Sequence, residues 1–499
     1  MSPVLARLPY YTALLIGLVG ALFLGTALGS DDYLTVMLAA VCLFSTIWIV
    51  ISGERWWVPM GFALGIGGYF TIPWKLYPHE MALALCGLAI LPRIPFKSTG
   101  LKRNRPRLPA IFFVLFAYLL AHFAISAGRD WENGGLGNIS RAYLNALWPF
   151  IFGFAFYLYG SSRVIGAAFR AMYLALLIRM AFGFFNYFLD ENYGVPLINY
   201  SIDPQDLRAS GSMLLILSIL MLISTRGPVA RVGHTLVALV SAFACLVGGS
   251  RAQIAALLFY PLILCVVFRK WTQLLVSLAL AGLLVVAINL SPQSLESMPY
   301  RIQRALSVLI IGPTVEIDVQ QDVKGSDEFR RVISAEGFKR WTDSRESLLF
   351  GAGIRRFEES YFATASRFEM DPFTLIIQSA ADVGAYETTL WTLLGVLGLV
   401  GLVLYAWLLL ELMRSILPAL RSWRLRGPDF VIVAWAVMAG IGAFFTCVLF
   451  GSYPSFEIFL AILAKGMIED FRKEQRPATA RALPSLPSIT LPKPESIAT

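Results

Sequence analysis

Apolar residues in this chain run in long unbroken stretches and do not alternate with polar ones at the spacing of a half-buried strand or a surface helix. A hydrocarbon core of about 30 Å is crossed by about 20 apolar residues in a helix, so stretches of that length predict membrane spans. By this measure there are fourteen, near 11–29, 33–53, 58–73, 78–92, 108–127, 141–160, 164–188, 210–225, 232–248, 252–268, 271–290, 389–412, 429–450 and 455–469. The runs 58–73 and 78–92, bounded by Trp56–Trp57 and by Pro73 and Pro92, are short enough to be re-entrant or tilted, which leaves twelve as the lower bound. The fold class that follows is an all-α polytopic membrane protein of about 12–14 transmembrane helices. The first run carries no small-residue cleavage pattern before Asp31–Asp32 and is expected to persist as a span.

One segment breaks the rhythm. Residues 1–290 hold about eleven spans and 389–470 about three more, whereas 291–388 is of mixed polarity. A connection that long is uncommon without a task. Within it, Glu328–Trp341 reads as an amphipathic helix with charged faces. The tail 471–499, rich in Pro, Ser and Ala, has too little apolar surface to order itself and is expected to be disordered.

Composition agrees: 57% of residues are apolar and 15% charged, against about 45–50% and 25% in soluble proteins, which excludes an ordinary soluble enzyme. The net charge of +9 changes the picture only through where it sits. The densest basic run, Arg93 to Arg107, lies between two apolar segments without the aromatic interleaving that base stacking uses, so no nucleic-acid partner is expected. Counted over short loops, Lys and Arg collect on one side, while the other side holds only Lys75, Arg129, Arg208 and Arg251. The positive-inside rule then puts both termini in the cytoplasm and 291–388 on the outer side as one large extracytoplasmic loop. All five cysteines lie in apolar runs and read as packing residues, with neither metal-ligand nor disulfide spacing; no metal or cofactor is expected.

The candidate chemistry is all on the outer side. Arg208 precedes Ala-Ser-Gly211 at the mouth of a span, where it can hold an anion at headgroup level or simply snorkel. Arg251 caps a Gly248-Gly249-Ser250 hairpin whose glycines the turn needs and whose arginine it does not. Glu387 stands at the start of the next span, where the helix dipole favours a carboxylate whether or not it has a further role. The loop has nine arginines (301, 304, 330, 331, 340, 345, 355, 356 and 367) against Lys324 and Lys339, a bias toward the side chain that forks onto phosphate or carboxylate, though its acidic residues fit a solvated cap equally well.

In order along the chain, these elements resemble those of the O-antigen ligase and polymerase superfamily of bacterial membrane glycosyltransferases. That family carries R-x-S-G before a span, G-S-R-G on a hairpin, a W-x-x-S-P-x-x-G-x-G-x-x-x-F pattern in a large outer loop, and an H-N-x-x-L segment that runs into L-x-x-x-G-x-x-G. Here the matches are Arg208-Ala-Ser-Gly211, Gly249-Ser250-Arg251-Ala252, Trp341-Thr-Asp-Ser344 with Phe350-Gly351-Ala-Gly353 and Phe357, and Tyr386-Glu387-Thr-Thr-Leu390 with Gly395, Gly398 and Gly401. Tyr386 stands where the ligases have histidine, which favours the polymerase or a less familiar branch over the ligases. The resemblance implies metal- and nucleotide-independent glycan transfer from an undecaprenyl-diphosphate carrier at the outer face of the bacterial inner membrane, with the lipid-linked oligosaccharide, the bilayer and a chain-length regulator as partners. On that reading Arg208 and Arg251 stabilise the departing diphosphate, Glu387 takes or orients the acceptor proton, and Arg340, Trp341, Arg345, Arg355, Arg356 and Tyr386 contact the substrate. The alternative is a lipid-linked oligosaccharide flippase or polysaccharide exporter. Against it, the halves show no internal repeat and the clear mid-span charges are limited to Arg170, Arg179 and Glu411.

Overall fold

A computed structural model describes residues 57–80 apart from 73 and 79, then 108–131, 137–189, 194–195, 200–201, 205–248, 251–290, 297–310, 317–354, 372–421, 427–447 and 453–480. The sequence expectations for 11–53 and most of 78–92, for Arg355 and Arg356, and for the tail beyond 480 fall outside these residues.

The apolar runs fold as helices: α1 (Trp57–Ile66), α2 (Ala110–Trp131), α3 (Gly137–Tyr159), α4 (Ser162–Leu189), α5 (Gln205–Ser224), α6 (Pro228–Val247), α7 (Arg251–Val267) and α8 (Trp271–Leu290). The interrupting segment supplies α9 (Tyr300–Leu306), α10 (Ile317–Thr342), α11 (Arg345–Phe350) and α12 (Pro372–Asp382). Three further apolar helices close the chain: α13 (Thr389–Arg421), α14 (Gly427–Thr446) and α15 (Ser455–Ala480). Seven helices among the described residues are long and apolar enough to cross a membrane: α2, α4, α5, α6, α8, α13 and α14. The chain is thus an all-α polytopic membrane protein.

Lipid is what such surfaces require. α8 buries none of its residues against the protein, and Leu275, Leu283 and Leu290 are all more than 60% exposed. In water a helix of this kind would be a large uncovered apolar patch. The protein core instead gathers around α13, α14 and α15, with Leu408, Val433, Ala436, Val437, Ile458 and Ile462 fully buried.

Two expectations are corrected. The run 58–73 is helical only to Ile66. The consecutive Gly67 and Gly68 both take positive φ (63° and 66°), a conformation that ends a helix without strain only for glycine. The chain continues as β1 (Tyr69–Ile72) and β2 (Trp74–Leu76), which join β3 (Gly194–Val195) and β4 (Tyr200–Ser201) in an antiparallel sheet of order β2-β1-β4-β3. An apolar run alone does not distinguish a helix from a buried strand. In addition, α15 carries helix through 471–480, which the sequence assigned to a disordered tail.

The orientation has a direct test. With the five native cysteines replaced, single cysteines at Lys324 on α10 and Arg226 in the α5–α6 turn, both exposed, should react with an impermeant thiol reagent from opposite sides of the membrane, 324 from outside. Reaction of both from one side would overturn the orientation.

Candidate functional site

The site is organised by α10. Residues 327, 330, 337 and 340 follow one another at steps of 3, 7 and 3 positions and so fall within less than half the circumference of a helix with 3.6 residues per turn. Each meets a different part of the chain.

Asp327 takes Arg251 in a two-pronged ion pair: Nη2 donates to Oδ1 at 2.6 Å and Nη1 to Oδ2 at 3.2 Å. Arg251 is the first residue of α7, at the tip of the hairpin with α6, and its side chain is 17% exposed against 58% for Asp327. Arg208 sits in the first turn of α5 and packs against the same hairpin. A Cβ built on Gly248 would come within 2.4 Å of the Arg208 Cβ, so only glycine lets the two backbones come this close. Gly248 itself keeps an ordinary helical φ of −66°, so what requires glycine there is the contact with Arg208.

One turn further along α10, Arg330 Nε lies 3.5 Å from Glu387 Oε2. This is a charge contact without hydrogen-bond geometry, since Nε is sealed from solvent and has no hydrogen-bond partner. Glu387 has φ +56°, one of two non-glycine residues with positive φ among those described. A left-handed glutamate costs about 1 kcal/mol or more and persists only where its surroundings impose it. Tyr386 supplies that constraint: it is 1% exposed, and its ring fills a slot between Gly337 of α10 and Gly395 of α13. Thr388 then caps α13, its Oγ1 accepting from Trp391 N at 3.4 Å. With its neighbours pinned on both sides, Glu387 is held out into solvent, 48% exposed.

Arg340 donates to Glu336 Oε1 (2.9 Å) and to the buried Asp382 Oδ1 (2.7 Å), so the arginine expected to face a glycan is committed to two carboxylates beneath the surface. Burial disfavours its charge, but the hydrogen bond it donates to Glu336, the nearby Tyr386 and the bond to Asp382 outweigh that and raise its pKa. Burial also pushes the Tyr386 hydroxyl up to about 12, with Arg340 offsetting only part of the rise. Tyr386 is therefore neutral at physiological pH and cannot act as a base there. Replacing Arg340 with Met would strand Asp382, and loss of one partner of such a pair costs about 3–5 kcal/mol. Thermal unfolding in detergent should show the loss in Arg340→Met and recovery in Arg340→Met with Asp382→Leu; a single variant as stable as wild type would mean the cluster fastens nothing.

The remaining expected contacts lie at the rim. Trp341 donates from Nε1 to Leu348 O (2.9 Å) and forms an aromatic cluster with Phe338 and Trp391, with ring centroids 5.9–6.4 Å apart. Phe338 is half exposed, leaving a partly open aromatic surface beside Glu387. Arg345 is the exposed first residue of α11, whose N-cap Ser344 accepts from Ser347 N at 3.0 Å.

The glycine motifs form the floor. α13 breaks at Gly398 (φ 67°, ψ −170°), which deprives the carbonyls just before the break of their usual partners four residues on. Irregular backbone at a membrane helix must be satisfied from elsewhere. Ala352 N donates to Gly395 O (2.8 Å), Gly353 N to Val396 O (3.1 Å) and the Tyr118 hydroxyl to Leu397 O (2.6 Å). The segment from Gly351 to Gly353 is thus a strap over the break. A Cβ on Gly398 would lie 2.4 Å from Leu349 O and from Gly351 N, backbone atoms that cannot swing aside. Gly398→Ala should therefore cost about 2–4 kcal/mol through strain and overpacking and should speed amide exchange at Ala352 and Gly353. Gly282→Ala, with nothing within 4 Å of the added carbon, is the control and should be silent. Equal effects of the two would show that the strap needs no glycine at the break.

Asp327, Arg330 and Asp382 were not singled out from sequence as site residues. No protein family and no curated protein matches this chain.

Proposed function

We propose that the protein is a membrane glycosyltransferase that polymerises or ligates polyprenyl-diphosphate-linked oligosaccharide at the outer face of a bacterial inner membrane, in surface-polysaccharide synthesis. The observation that carries this is the convergence of the hairpin arginine, Arg251, and the strained, solvent-facing Glu387 on one face of α10, at residues three apart in that helix. A glycosyl transfer from a diphosphate needs both ends of such a pair. As the sugar–oxygen bond to the diphosphate breaks, negative charge grows on the leaving group, and Arg251 with the neighbouring Arg208 is placed to hold it. The acceptor hydroxyl must lose its proton as it attacks the anomeric carbon, and Glu387 is the exposed carboxylate placed to receive or orient it. The open edge of the Trp341, Phe338 and Trp391 cluster offers apolar faces against which sugar rings can lie.

Export of a lipid-linked glycan is the second reading, favoured by the broken helix α13, a feature transporters use at their substrate sites. Here, though, the carbonyls freed by the break are already taken by the strap and Tyr118, which leaves them no role toward a cargo.

The deciding experiment gives purified protein a lipid-diphosphate oligosaccharide in detergent, where no second compartment exists. Formation of longer glycan with release of the lipid diphosphate supports transfer. Intact donor after prolonged incubation with oligosaccharide acceptor, together with passage of that donor across proteoliposomes, would establish transport instead.

A further inference from the structure

A guanidinium at the end of two apolar helices sits at the level of lipid headgroups, where singly charged phosphodiesters are abundant. An uncovered Arg251 would take the nearest of them, because the fork that suits a carboxylate suits a phosphate equally well. It is not uncovered: Asp327 closes both Nη1 and Nη2, at 3.2 and 2.6 Å. Resting on the transfer reading above, we propose that Asp327 is a specificity-determining residue for the donor, a carboxylate that occupies the Arg251 fork so that a diphosphate takes it and a monophosphate diester does not.

The argument is one of charge. A phosphodiester headgroup brings one negative charge, the same as the carboxylate it would displace, and gains no Coulombic advantage by the exchange. A diphosphate joining a lipid to a sugar brings two, both within reach of the cation, and outcompetes the carboxylate. The exposures fit an exchange of this kind. Arg251 is the more buried partner and stays in place, whereas Asp327 is the more exposed and passes to water at little cost. Its neighbours leave it available. Glu328 is bound to Arg331 on the outer face, and Lys324, exposed and one turn back on α10, is at the spacing from which it can receive the released carboxylate. A purely structural staple between hairpin and loop would have no reason to place its acid where solvent reaches it.

The test measures binding of inorganic pyrophosphate to the full-length protein in lipid nanodiscs, of phosphatidylcholine alone or with phosphatidylglycerol as about half the lipid. If the carboxylate holds the fork most of the time, removing its charge raises apparent affinity by the inverse of the free fraction, about tenfold or more. Asp327→Asn should therefore bind pyrophosphate at least about tenfold more tightly than wild type in phosphatidylcholine. That advantage should vanish in phosphatidylglycerol, as headgroups fill the unguarded fork. Asp327→Glu, which keeps the charge, should behave as wild type, and Arg251→Ala should lose the pyrophosphate site in both lipids. No gain in Asp327→Asn, a gain that survives phosphatidylglycerol, or no pyrophosphate binding by either protein would overturn the proposal. The transfer assay separates the two readings: the expected ratios without any transfer leave the filter standing and remove the glycosyltransferase, while transfer with equal ratios does the reverse.

Discussion

Glu387→Gln should reduce glycan transfer by about 100-fold or more, the usual contribution of a positioned general base, while leaving lipid-linked precursor to accumulate. Glutamine keeps the length, the shape and one hydrogen-bonding oxygen; it loses the charge and the ability to take a proton. The left-handed backbone at this residue (φ +56°) provides a second comparison. If the carboxylate only filled a turn, Glu387→Asn would be neutral or beneficial, because asparagine tolerates this conformation better than glutamate does. On the present reading Asn relieves strain and raises the unfolding temperature, and it still loses activity. Full transfer by Glu387→Gln at a normal protein level would dismiss the carboxylate and leave the arginines as the chemistry.

Arg251→Lys should lower transfer by about 10- to 100-fold, although the charge is unchanged. Lysine is a point charge on a flexible stem and cannot present two parallel donors to one diphosphate. A charge-assisted hydrogen bond contributes about 1.5–3 kcal/mol, so losing one of two corresponds to that range in rate. The same substitution removes one of the two bonds to Asp327, so it should loosen the hairpin from α10 as well. Near wild-type product from Arg251→Lys at an equal protein level would show that the site needs only a cation.

Much of this architecture was legible in the chain. Membrane helices declare themselves by apolar length, and α4, α6, α8 and the start of α13 fall within a few residues of the runs that predict them. The glycine motifs were legible too, because close approach and positive φ restrict the choice of residue so severely that Gly351, Gly353, Gly395 and Gly398 stand out as a set. What sequence did not reveal was pairing. Arg251 and Asp327 are 76 positions apart, and the amphipathic pattern expected over 328–341 is too weak along α10 to mark which face turns inward. A charged side chain that forks onto a ligand and one that forks onto a buried acid have the same local signature, which is why Arg340 was expected at the glycan and is found on Asp382. The Gly67–Gly68 pair did carry a signal against reading 58–73 as one span, since two consecutive glycines weaken any helix they enter.

Because a helix advances by about 100° and 1.5 Å per residue, the inner face of α10 works as a phase standard for the parts it touches. Inserting a single residue between Asp327 and Arg340 would swing everything beyond it through more than a quarter of a turn. Either Arg251 or the Tyr386–Asp382 cluster would then lose its partner, and no adjustment of neighbouring loops could restore both. Seven inserted residues would recover the angle and still miss by about 10 Å in length. This stretch of chain, unlike an ordinary surface connection, should therefore keep its length even where its outward-facing residues change freely.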